Sequence, residues 1–89
     1  MTGRVLRIIN EKGLHARASA KFVEVVESHE AQARVTKDGM TVSGDSIMGL
    51  LMLAASRGTA IEVATQGAEA EKLADALEAL VANRFGEDY

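Results

Sequence analysis

Eighty-nine residues, 47% of them apolar, suit one small domain spanning 1–89 with a single core, since a chain of this size buries roughly two-thirds of its unfolded surface. The net charge of −3 disfavours non-specific binding to nucleic acid or a membrane surface, and the only aromatics, Phe22, Phe85 and Tyr89, are too few for a base-stacking platform. With no cysteine there is no disulfide, thiolate chemistry or Cys-based zinc site, and His15 and His29 lie too far apart to suggest a metal by spacing, so neither metal nor cofactor is expected. Nothing resembles a signal peptide, the first apolar run is too brief to span a bilayer, and the default compartment is the cytoplasm.

The first element is a strand over Arg4–Ile9, short and rich in β-branched residues. Its faces are ambiguous, with Leu6 and Ile8 on one side and Val5 and Ile9 on the other. Asn10 to Gly13 breaks the pattern as a loop. From Ala16 to about Ser28 the spacing predicts a helix with Ala18, Phe22, Val25 and Val26 inward and Lys21, Glu24 and Glu27 toward water. Ala33–Lys37 and Met40–Ser43 alternate apolar and polar residues about Asp38-Gly39, a strong two-residue hairpin signal. Ser46 to Ser56 reads as a helix capped by Ser46 and stopped by Gly58. Thr59–Thr65 alternates again. Glu69 to Phe85 is the longest predicted helix, with Leu73, Ala76, Leu77, Leu80 and Phe85 as its inner stripe. The order β-α-β-β-α-β-α, with three one-sided strands, predicts an antiparallel sheet covered on one face by helices and wet on the other.

Two positions carry candidate chemistry. Gly13-Leu14-His15-Ala16-Arg17 puts a histidine where a helix begins, beside free amides and the positive end of the helix dipole. A neutral imidazole can accept a phosphoryl group at one ring nitrogen. The amides of Ala16, Arg17 and Ala18 and the Arg17 guanidinium would hold phosphate oxygens. Among carboxylates, Glu11 is nearest in sequence and could fold back. A histidine at a helix start also serves as a surface residue or a weak cap, and spacing alone leaves both readings open. His29, in a polar connection, is read as structural.

Ser46 is an N-cap and also a candidate phosphorylation site, because a phosphate at a helix start changes surface potential more than fold. Behind it, Ile47, Met48, Leu50, Leu51, Met52 and Leu53 exceed what one short helix can bury on a one-sided sheet. The surplus suggests either a partner surface or a helix buried more deeply than this topology implies.

Gly13 to Ala20 and Asp45-Ser46-Ile47-Met48-Gly49-Leu50-Leu51-Met52-Leu53 together resemble the two motifs of the histidine-containing phosphocarrier (HPr) family, at the family's separation and over nearly the whole chain. The resemblance implies an α+β open-faced β-sandwich, a four-stranded antiparallel sheet covered on one face by three helices. It implies a relay of the phosphoenolpyruvate-dependent phosphotransferase system, with a covalent phosphohistidine intermediate rather than free-standing enzyme turnover. Enzyme I would phosphorylate Nδ1 of His15, Arg17 would hold the phosphate, and an enzyme IIA domain would receive it. Ser46 matches the serine modified by an HPr kinase/phosphorylase in some bacteria. Docking would use Ile47, Met48 and Leu51 with Ala20 and Lys21, and a monomer suits a relay. The alternatives are a non-catalytic regulatory module set through Ser46 and a plain ligand-binding module. In the family's usual motif proline follows the arginine. Ala18 stands there instead and, with Ser19, resembles the nitrogen-related branch, whose output is regulation more than sugar uptake.

Overall fold

Hydrophobic alternation builds the sheet. The computed structural model, which describes Met1–Tyr89, contains β1 (Thr2–Arg7), α1 (Ala16–Glu27), β2 (Gln32–Lys37), β3 (Met40–Ser43), α2 (Ile47–Met52), β4 (Ala60–Gln66) and α3 (Ala70–Ala82), followed by a 3-10 turn over Arg84–Gly86. The strand order is β1-β4-β2-β3, with every neighbouring pair antiparallel. Leu6 pairs with Ile61 and Val35 with Val63, so the inner residues of β1, β2 and β4 share one face. All three helices pack on that face, giving the α+β open-faced sandwich.

Register resolves the first strand. Leu6 and Ile8 are buried, whereas Val5 is 70% exposed on the open face opposite Glu62. The strand also begins earlier than predicted and ends at Arg7. Arg4 lies opposite Val63 and bridges the sheet edge to α3, bonding Asp75 at 2.8 Å and Glu78 at 2.5 Å. The β2–β3 hairpin turns on Asp38 and Gly39, both with positive φ as a primed turn requires.

Helix lengths differ from the sequence pattern where the backbone leaves the right-handed region. The second helix ends at Met52, and Ala54 at φ 51° prevents its predicted run to Ser56. The third helix starts at Ala70 and ends at Ala82, because Arg84 (φ 55°) and Phe85 (φ 54°) turn left-handed. Phe85 nevertheless stays in the core with 1% exposure. The buried stripe of α3 is Leu73, Ala74, Leu77 and Val81, while Ala76 and Leu80 are half-buried. In α1, Ala18, Ser19, Phe22, Val23 and Val26 are buried; Val25 is only half-buried. Ser19 and Val23 are therefore additions to the predicted stripe.

Candidate functional site

The His15 site is assembled from the β1–α1 loop, the first turn of α1 and the segment after α3. His15 is the N-cap of α1, in extended conformation at φ −80° and ψ −177°. Its Nδ1 accepts a hydrogen bond from the amide of Arg17 at 3.3 Å. That makes Ala16, Arg17 and Ala18 the first three helical residues, whose amides lack partners one turn back within the helix. Ala16 and Arg17 are exposed there and the Arg17 amide makes the bond, whereas Ala18, the third predicted donor, is fully buried and presents no amide to solvent. Ala18 has no exposed surface, so its methyl belongs to the core while the Arg17 side chain reaches solvent.

The loop before His15 is held tightly. The Asn10 side chain is fully buried and its Nδ2 donates to the Gly13 carbonyl at 2.8 Å. The Leu14 amide donates to the Ala55 carbonyl at 2.8 Å, fixing the loop to the α2–β4 connection. Gly13 sits at φ +68°, and a Cβ there would lie 2.6 Å from that same Ala55 oxygen. Gly13→Ala is therefore expected to destabilise the fold by about 2 kcal/mol or more, combining left-handed strain with a backbone clash. Urea unfolding measures this loss.

The carboxylate at the ring is Glu87, seventy-two positions away in sequence, and not Glu11. Glu87 Oε2 meets His15 Nε2, while Oε1 accepts from Asn10 Nδ2 at 2.9 Å. Burial pushes the Glu87 carboxyl up, but the hydrogen bonds from Asn10 and His15, with the nearby positive charge of Arg17, outweigh it and hold the group below its ordinary value. Because folding lowers this value, the contact favours the folded chain at pH above the ordinary glutamate range. Its contribution fades as pH falls through the lowered value.

An ionised carboxylate can only accept, so Nε2 carries the proton. Nδ1, which accepts from an amide, carries the lone pair. Both contacts specify one neutral tautomer. The side chain is 23% exposed, and the Nδ1 lone pair is held by the Arg17 amide, a bond that must yield for Nδ1 to act as a nucleophile.

A cleft of about 340 Å³ adjoins the site, lined by Lys12, Arg17 and Lys21 against Glu11, Glu87 and Asp88. Lys21, predicted to face water and to dock partners, is half-buried instead, and its Nζ donates to the Phe85 carbonyl at 2.7 Å. Ala20 is exposed as expected. His29 is engaged structurally, its Nδ1 2.8 Å from the Val25 carbonyl.

Ser46 caps α2, its Oγ accepting from the Gly49 amide at 3.0 Å. Leu50 and Leu53 are buried beneath, whereas Ile47, Met48, Leu51 and Met52 are exposed, Met48 by 71%. The surplus apolar side chains therefore lie on the surface. Helix α2 packs beside α1, which carries the histidine.

Residues 3–83 match the family model described as "PTS HPr component phosphorylation site". The chain belongs to the HPr family. It is 45% identical over 87 residues to the phosphocarrier protein HPr of Cupriavidus necator, covering 98% of each chain. Among solved structures, HPr-C-His of Thermoanaerobacter tengcongensis superposes with a TM-score of 0.95 at 35% identity over all of both chains. The phosphocarrier protein HPr of Bacillus anthracis gives 0.86 at 36% identity, over 90% of this chain and 95% of that one. HPr proteins act in the phosphotransferase system. No helix is long and apolar enough to cross a membrane.

Proposed function

We propose that this HPr-family chain, residues 1–89 acting as one monomeric unit in the cytoplasm, carries a phosphoryl group on Nδ1 of His15. Phosphorylated enzyme I donates it and an enzyme IIA domain receives it. The observation carrying this reading is the orientation of the ring: the Nδ1 lone pair faces the first-turn amides of α1, and Nε2 is occupied by Glu87. A phosphoryl group on Nδ1 would lie against those amides, with the positive end of the helix dipole and the Arg17 guanidinium to balance its charge.

Docking falls to the exposed Ile47, Met48 and Leu51, extended by Met52 and flanked by Ala20. A small apolar patch supports fast, weak association with successive partners, and flexible methionines adapt to more than one surface. Incubation with enzyme I and labelled phosphoenolpyruvate tests the relay: the parent takes up label and passes it on to an enzyme IIA domain. Absence of label on the parent contradicts the reading. Ala18 and Ser19 support assignment to the nitrogen-related branch, for which transfer to that branch's enzyme IIA should outpace transfer to a sugar-specific one.

A second reading, regulation through Ser46 by an HPr kinase/phosphorylase, is favoured by the position of that hydroxyl beside the apolar patch. Phosphate there would cap α2 without unfolding it and place charge at the docking surface. Ser46→Asp is expected to slow acceptance at His15 by about tenfold through weaker docking, measured as the initial rate of labelling. Ser46→Ala loses only the cap, about 1 kcal/mol. Equal labelling rates for Ser46→Asp and the parent remove the coupling.

A further inference from the structure

The segment after α3 is built to deliver one side chain to the His15 ring. Arg84 and Phe85 both adopt left-handed backbone, a conformation unfavourable for a non-glycine residue. Two anchors hold that turn: the buried Phe85 ring, and the Phe85 carbonyl accepting from Lys21. Further on, the Tyr89 carbonyl accepts from the Glu11 amide at 3.0 Å. Between these ties lies Glu87, its side chain 18% exposed.

Asn10 completes the arrangement at a cost of its own. Its amide nitrogen serves both the Gly13 carbonyl and Glu87, which leaves Oδ1 buried without a partner. An orphaned buried acceptor is destabilising, because it has lost its water without gaining a donor. The fold retains that cost where the same side chain fixes both the loop bearing His15 and the carboxylate facing it.

We propose that Glu87 is a positioning residue for phosphoryl transfer: its carboxylate keeps the proton on Nε2 of His15, leaving the Nδ1 lone pair for attack and setting a fixed negative charge against the ring once phosphorylated. The inference rests on the phosphocarrier reading above. In acceptance, the Nδ1 lone pair forms the P–N bond, and the bond from phosphorus to the donor breaks with its electron pair remaining on the donor. The ring becomes a cation that still bears its Nε2 proton. In release, the P–N bond breaks, its electron pair returns to Nδ1, and the ring leaves as the neutral tautomer from which it started. No proton moves to or from Nε2 in either direction. Without the carboxylate, the phosphorylated ring loses the Nε2 proton more readily and would have to depart as an imidazolate, a far poorer leaving group.

The other charges near the ring come from few elements. Lys12 lies in the groove on one side of it and Arg17 follows it on α1. Glu11, Lys21 and Asp88 line the cleft beside Glu87, while Ala54, Ala55 and Ser56 of the α2–β4 connection bring no titratable group. Glu87 is the acidic group in contact with Nε2.

The test uses the full chain with ¹⁵N-labelled histidine and the variants Glu87→Gln and Glu87→Ala, with thermal unfolding of each as a folding control. In the unphosphorylated parent, ¹⁵N spectra should show His15 predominantly as the Nε2–H tautomer, and Glu87→Ala should give a mixture. After phosphorylation, hydrolysis of the phosphohistidine is followed against pH. The protonated ring releases phosphate faster, so the midpoint of the profile should move to lower pH by about one unit in Glu87→Gln, as loss of an adjacent opposite charge predicts. Superimposable profiles for parent and Glu87→Gln, or unchanged tautomer populations in Glu87→Ala, overturn the proposal while leaving the relay standing. A parent that takes no phosphoryl group overturns the relay and, with it, a role for Glu87 in transfer.

Discussion

Phe22→Ala is expected to destabilise the protein by about 3–5 kcal/mol, the usual loss for deleting a fully enclosed aromatic ring. Phe22 has no exposed surface and stands mid-way along α1, which packs against both other helices. The vacated space cannot be filled by side chains from a single short helix, so both transfer energy and cavity energy are lost. A domain of this size is stabilised by only about 5–10 kcal/mol in total. At about 4–8 °C per kcal/mol, the melting temperature should fall by roughly 12–40 °C. Val5→Ala is the matched control: its side chain projects from the open sheet face, 70% exposed, and should change stability by less than about 0.5 kcal/mol. A Phe22→Ala protein that melts within a few degrees of the parent would contradict the core described here.

His15→Ala separates chemistry from folding. Phosphoryl acceptance should fall by at least about 10³-fold, because the other nucleophile at the start of α1, the Ser19 hydroxyl, is fully buried against the Leu14 carbonyl and cannot form the covalent intermediate. Stability should fall by only about 0.5–2 kcal/mol, the range for losing an N-cap acceptor, since the ring caps α1 at 3.3 Å and is not part of the apolar core. Calorimetry alongside labelling from phosphoenolpyruvate reads both quantities. A folded His15→Ala protein that still accepts label at the parental rate would move the nucleophile elsewhere.

Local pattern made most of the fold legible. The hairpin at Asp38-Gly39, the alternation of β4 and the caps at His15 and Ser46 are all properties of adjacent residues, and each appears where the spacing puts it. Four apolar residues in Arg4–Ile9 satisfy either face equally, and only pairing with β4 decides that Val5 looks outward. The end of α3 was misread for a related reason. Phe85 continues the apolar spacing set by Leu77 and Val81, yet it reaches the core through a left-handed turn that periodicity does not record.

The site divides the same way. His15 and Arg17 announce themselves by their place in the chain, and the two-motif resemblance named the family. Glu87 was invisible because the contact spans seventy-two residues and depends on that turn. A faint signal existed in Asn10: a polar residue directly after an apolar strand, buried in the fold with its amide committed, needs a distant partner. The place of Lys21 escapes the pattern because amphipathic spacing treats every lysine as solvated, whereas its ammonium closes on a backbone carbonyl of the returning segment.

In the relay proposed for this chain, phosphate is carried on Nδ1 of His15 because Glu87 commits Nε2 to its proton. Phosphorus and nitrogen NMR of the phosphorylated protein, with the histidine rings ¹⁵N-labelled, addresses it directly. The expected result is a single phosphorus resonance coupled to Nδ1 of His15, with Nε2 still protonated. Coupling to Nε2, or a phosphoryl group on any other residue, would contradict it.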